Sequence, residues 1–152
     1  MRSVLMFAGF LALSLWTVSV NAASSSNSLG DLQALQVLEA KALQAQPREQ
    51  CYLYAKLVRE MTELSLSQYK AGDVKNATGL LERVQQFASI IHRTLSGNDK
   101  RIKNTELLLR QTSFRLYELL RSSNYQDRPL LEQTLAQVNQ ADSAAMMSVF
   151  SK

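Results

Sequence analysis

The sequence predicts an all-α protein: an antiparallel up-down four-helix bundle with an additional N-terminal helix, preceded by a signal peptide. Three observations carry the fold class. Past residue 28 the chain holds only Gly30, Gly72, Gly79 and Gly97 as glycines, and only Pro47 and Pro129 as prolines. Few positions can therefore break a helix. Leu, Gln, Ala, Glu, Lys and Arg dominate what lies between, and all of them favour helix. Third, Val74, Ala77, Leu81, Val84, Ala88, Ile91 and Leu95 recur in alternating steps of three and four. That spacing marks one side of a helix packed lengthwise against its neighbours.

The first element is a leader. Val4 to Val20 is an almost unbroken apolar run behind Arg2, and it ends in Val20-Asn21-Ala22. A basic start, an apolar middle and small residues at the two positions a signal peptidase reads predict a signal peptide over 1–22, cut after Ala22. The competing reading is an uncut membrane anchor. The run from Ser3 is near the short limit for crossing a bilayer and is interrupted by Gly9, Ser14, Thr17 and Ser19, so cleavage is expected. The expected location is secreted or periplasmic, with no stable membrane anchor once the leader is removed. Cys51 lies too far from the cut to be a lipidated cysteine.

Residues 23–28 form a small, Ser-rich lead-in expected to be disordered, and 29–152 form the helical domain. A first helix is expected over about 30–46, with Ser28 as N-cap and Asp31 near its positive end. Pro47 suits the first turn of a second helix running to about Ala71, since a missing N–H costs nothing there. Gly72 ends it, and Asp73 caps a third helix over 74–96. Gly97-Asn98-Asp99 makes the next turn, followed by a fourth helix from about Lys100 to Ser122. Residues 123–127 connect to a fifth, opened by Pro129 and reaching about Phe150.

Each long helix carries an apolar face. The second presents Tyr54, Leu57, Val58, Met61 and Leu64, and Leu80 and Phe87 widen the stripe of the third. Ile102, Leu108, Leu109, Leu116, Leu119 and Leu120 serve the fourth; Leu131, Leu135, Val138, Ala145 and Val149 serve the fifth. Short turns predict that consecutive helices lie antiparallel and adjacent. The first helix has only a modest face of Leu32, Leu35, Leu38, Ala42 and Leu43. It is left to pack as a fifth member, to continue the second helix with a kink at Pro47, or to stand free.

Charge excludes little but does speak against nucleic acid. Seventeen Lys and Arg against thirteen Asp and Glu give +4, and losing Arg2 leaves +3. The densest basic stretch, Lys100-Arg101-Ile102-Lys103, has no interleaved aromatics and reads as solvated surface. A single cysteine permits no disulfide within the chain, so Cys51, beside Tyr52, Leu53 and Tyr54, is read as buried or as a partner for an intermolecular bridge.

No catalytic, cofactor or metal site is predicted. His92 is the only histidine, and metal sites in bundles draw at least two strong ligands from facing helices. An antiparallel second and third helix would bring Cys51 and His92 to similar height, but no thiol-enzyme signature accompanies them. Glu39, Glu49, Glu60, Glu63, Glu82, Glu106, Glu118 and Glu132 read as exposed helix stabilisers, with Glu49 near Arg48 and Glu118 near Arg115 or Arg121.

Tyr52, Tyr54, Tyr69, Phe87, Phe114, Tyr117 and Tyr125 are expected in the core with phenolic oxygens at its rim. The functional alternative is a ligand pocket or partner groove at one end of the bundle. Met146, Met147, Val149 and Phe150 make an apolar tail that suits docking on the core or on a partner. Asn76-Ala77-Thr78 matches a glycosylation sequon. Tyr69-Lys70-Ala71-Gly72-Asp73-Val74-Lys75-Asn76-Ala77, with Leu80-Leu81, resembles the turn between the two helices of a tetratricopeptide repeat. That resemblance implies peptide binding in a concave groove. It covers about a dozen residues, does not recur at the family's 34-residue period, and is flanked by longer helices.

The functional expectation is a non-enzymatic helical protein that acts through protein–protein interaction with an envelope or extracellular partner. The alternative is a small-ligand carrier or sensor with a pocket between helices.

Overall fold

A computed structural model describes residues 22–97 and 99–151, with side chains from residue 29 onward. The predicted leader, apart from Ala22, lies outside the described residues. Five helices carry the fold: α1 (Ala22–Gln44), α2 (Pro47–Lys70), α3 (Val74–Thr94), α4 (Ile102–Ser122) and α5 (Arg128–Phe150). There is no strand among the described residues, and the protein is all-α.

The punctuation works as its chemistry requires. Pro47 opens α2, and Pro129 sits in the first turn of α5. Gly72 takes φ +79° after α2, a conformation that strains any residue with a Cβ. Asp73 then caps α3, accepting from the Asn76 amide at 3.4 Å and its Nδ2 at 2.7 Å. Two boundaries differ from expectation. α1 runs back to Ala22 through the segment expected as a lead-in, because no glycine or proline stands between Ala22 and Gly30 to stop it. α4 begins at Ile102 rather than Lys100, because Arg101 takes the left-handed conformation at φ 58°.

The seam of α3 is core from Ala77 to Ile91, whereas Val74, expected on it, stands 42% exposed at the first turn. Ala77, Leu81, Val84, Ala88 and Ile91 have no exposed surface, and Leu80 and Phe87 are buried beside them. α2 faces them with Leu57, Val58 and Met61, and Tyr54 stacks on Phe87 with ring centroids 5.4 Å apart. Leu109 and Leu116 of α4 and Leu131 and Val138 of α5 complete the interior. Thr105, Thr112 and Thr134 enter the core too, which their hydroxyls tolerate by bonding the carbonyls of Arg101, Leu108 and Leu130 one turn back.

α1 packs back on α2, burying Leu35 and Ala42, which decides among the three arrangements left open for it. α2 packs on α3, and α4 on α5. The remaining adjacency departs from expectation. α4 lies beside α2 and α5 beside α3, while α3 and α4, consecutive in sequence, are not packed side by side among the described residues. α2 and α4 run parallel: Arg59 Nη1 donates to Gln111 at 2.7 Å and Arg115 Nε to Glu63 at 2.9 Å, both pairs 52 residues apart. α3 and α5 are tied by Gln85 donating to Thr134 at 2.8 Å.

The connection explains the departure. Residues 95–101 span more chain than the turn at 71–73, enough to cross the end of the array. Within them Lys100 N donates to the carbonyl of Arg48 at 2.8 Å, on the first turn of α2. Arg101 lies 4.9 Å from the centre of the Tyr52 ring, also on α2. The loop therefore delivers α4 to α2, not back along α3.

Candidate functional site

The one thiol of the chain is enclosed. Cys51 is 2% exposed, and its Sγ lies 3.5 Å from Thr94 Oγ1. Burial pushes the thiol up to about 11; contact with Thr94 opposes this, and the charge of Asp99 adds to it. The thiolate, the nucleophilic form, is absent at neutral pH. His92, considered as its partner, is exposed, and Cys51 contacts Thr94 instead. Among the described residues, no three of His, Cys, Asp and Glu come together to hold a metal ion. No described helix is long and apolar enough to cross a membrane.

The carboxylates work as struts. Glu39 of α1 pairs with Arg83 of α3, and Glu106 with Arg110 on α4. Glu49 pairs with Lys100 at 3.1 Å across the loop, not with the neighbouring Arg48 as expected. Glu118 meets Arg115 at 2.6 Å, one of its two expected partners. Burial, then the nearby Glu106, raises the Asp142 carboxyl on α5, and its Oδ1 has no hydrogen-bond partner. Asn76 of the sequon is exposed on the first turn of α3.

The aromatics scatter instead of converging. Tyr54 and Phe87 are in the core, Tyr52 lies under Arg101, and Tyr125 is 89% exposed in the α4–α5 connection. Phe114 and Tyr117, expected to be interior, stand on the outer face of α4 at 62% and 50% exposed, joined by Leu107 at 48%.

These three belong to a regular pattern. Lys103, Leu107, Arg110, Phe114, Tyr117 and Arg121 recur in steps of four and three, and all are exposed. At 100° per residue this seam lies roughly 120° around α4 from the buried line of Ile102, Leu109 and Leu116. The helix thus carries two heptad seams. The inner one is filled by the core; the outer one mixes apolar and basic side chains and stays exposed. The spacing was present in the sequence, but three cations at seam positions concealed it from a search for apolar faces.

A shallow groove of about 660 Å³ runs beside this seam between α2 and α4, lined by Arg59, Glu63, Arg110, Gln111, Phe114 and Arg115. Its one carboxylate is neutralised: Arg115 donates to both oxygens of Glu63 and, from Nη1, to Glu118. Arg59, Lys103 and Arg121 make no ion pair among the described residues. The face is therefore apolar along its middle and net positive.

No protein-family model, curated protein or solved structure matches this chain. The tetratricopeptide-like segment accordingly remains a likeness of one turn, the Gly72–Asp73 connection between α2 and α3.

Proposed function

We propose that this is an exported, non-enzymatic helical protein, secreted or periplasmic, whose work is to bind another protein through the outer face of α4. In this reading α2 to α5 form a four-helix bundle, α1 braces it from the side of α2, and the leader supplies export. One observation carries the binding role: Leu107, Phe114 and Tyr117 are held in the open along one helix, at the spacing with which helices seat against one another. Isolated surface leucines need no explanation, but large apolar side chains in register along one line do. The inert thiol and the paired carboxylates support a non-catalytic reading.

The test is retention from the native envelope fraction on immobilised protein, comparing the unmodified chain with Phe114→Glu and Phe150→Glu. At least one protein should be held by the unmodified chain and by Phe150→Glu but lost with Phe114→Glu. Identical retention by all three, or none by any, overturns the reading.

A further inference from the structure

Building on that protein-binding reading, we infer that the occupant of the α4 seam is an acidic amphipathic helix of a partner protein, lying lengthwise along α4. Steps of four and three are the spacing of a left-handed coiled-coil contact, so the face fits a helix more closely than a strand or loop. From Lys103 to Arg121 it extends about 27 Å, or five helical turns. Leu107, Phe114 and Tyr117 supply the apolar contact, with Lys103 and Arg121 at its two ends and Arg110 between Leu107 and Phe114.

Charge selects the partner. Every carboxylate beside the seam is engaged or recessed: Glu63 and Glu118 by Arg115, Glu106 by Arg110, and Asp142 half-buried on α5. Arg59, Lys103 and Arg121 remain without carboxylate partners among the described residues. A second copy of this chain is disfavoured, because antiparallel docking sets Lys103 against Arg121, and parallel docking sets each cation against itself. The leader of this chain brings no acidic residue at all. An anionic bilayer would call for a broad apolar face, whereas most apolar residues of α4 already point into the core. A helix with Asp or Glu flanking a narrow apolar line satisfies both the spacing and the sign.

The experiment places a photo-crosslinking phenylalanine derivative at position 117 of the full chain, irradiates cells of the native host, and maps the crosslinked peptide. The expected adduct lies on a segment with apolar residues three and four apart, flanked by Asp or Glu. That segment, made as a labelled peptide, should bind at least tenfold more weakly to Phe114→Ala and to the double variant Lys103→Glu/Arg121→Glu. With its acids changed to lysine, it should prefer the double variant over the unmodified chain. Arg93→Glu, on exposed α3 surface, should leave binding within twofold. An adduct on a segment without acids, on a second copy of the chain, or unaffected by the charge reversal overturns the acidic-helix assignment and leaves α4 as a protein-binding face. An adduct on lipid, or none from position 117 or 107, overturns both.

Discussion

Arg115 on α4 holds both carboxylate oxygens of Glu63 on α2, Nε to Oε1 at 2.9 Å and Nη2 to Oε2 at 3.1 Å. This two-pronged contact joins helices that are not consecutive in the chain. With Arg59–Gln111 and the Lys100–Arg48 backbone bond, it repeats one offset of 52 residues along the α2–α4 contact. A planar guanidinium matches a carboxylate in only a few orientations, so the contact sets register as well as attraction.

The pH dependence of that clamp follows from its sign. The Arg115 hydrogen bonds hold the Glu63 carboxyl below its ordinary 4.5. A depressed folded value stabilises the fold above the unfolded value, and the gain is lost as pH falls through the folded one. Both side chains are 38% exposed, so solvent screening limits the contribution to about 0.5–1 kcal/mol. Glu63→Gln should lower Tm by a few degrees at pH 7, and the gap should close below pH 4. A gap that persists at pH 3 would mean that the substitution acts through packing.

The two seams of α4 and α3 predict opposite mutational costs. Leu81 is fully enclosed, and Leu81→Ala should cost about 2–5 kcal/mol through lost burial and the cavity left behind. Leu107 is half exposed on the outer seam, and Leu107→Ala should stay within about 0.5 kcal/mol. Denaturant unfolding of both variants measures this directly. Comparable losses would place the outer seam inside the fold.

How far the sequence reaches is visible in the same two helices. On α3 the apolar residues occupy one line, so periodicity and burial agree from Ala77 to Ile91. On α4 periodicity also picks the inward line, since Ile102, Leu109 and Leu116 are buried and Leu108, Leu119 and Leu120 pack against the core. Phe114 and Tyr117, off that line, were expected inside only because they are aromatic, and hydrophobicity alone misplaces them. Hydrophobicity also names a face without naming its neighbour. The placement of α4 beside α2 depends on contacts such as Lys100 with Arg48, between residues far apart in sequence, and no local pattern records them. The turn at Gly72–Asp73 was legible because its requirements, a positive φ and a cap, are local.

Cys51 should behave as an interior thiol. In the folded protein its alkylation should be slow at pH 8 and become fast only on denaturation. With a folded value near 11 against an ordinary 9.0, the thiol favours the fold below pH 9, and that contribution of about 2–3 kcal/mol disappears as pH rises through 11. The stability difference between the unmodified chain and Cys51→Ala should therefore shrink between pH 9 and 11. The comparison cancels the lysine and tyrosine titrations common to both proteins. A constant difference would contradict the buried environment.

Asp99 links that thiol to the crossing loop. It is 7% exposed, its Oδ2 accepts from the Ser96 amide at 2.7 Å, and its charge helps keep the Cys51 thiol protonated. Asp99→Asn keeps the shape and one acceptor oxygen but removes the charge, whereas Asp99→Ala removes the bond as well. The first should speed Cys51 alkylation at pH 9 with little change in Tm. The second should also cost about 0.5–1.5 kcal/mol, because the part-buried Ser96 amide loses its partner, and hydrogen exchange should accelerate at Ser96 and Lys100. If instead both variants leave thiol reactivity and loop exchange unchanged, Asp99 neither anchors the crossing nor senses Cys51, and the delivery of α4 to α2 must rest on the packing of Ile102 and Leu109 alone.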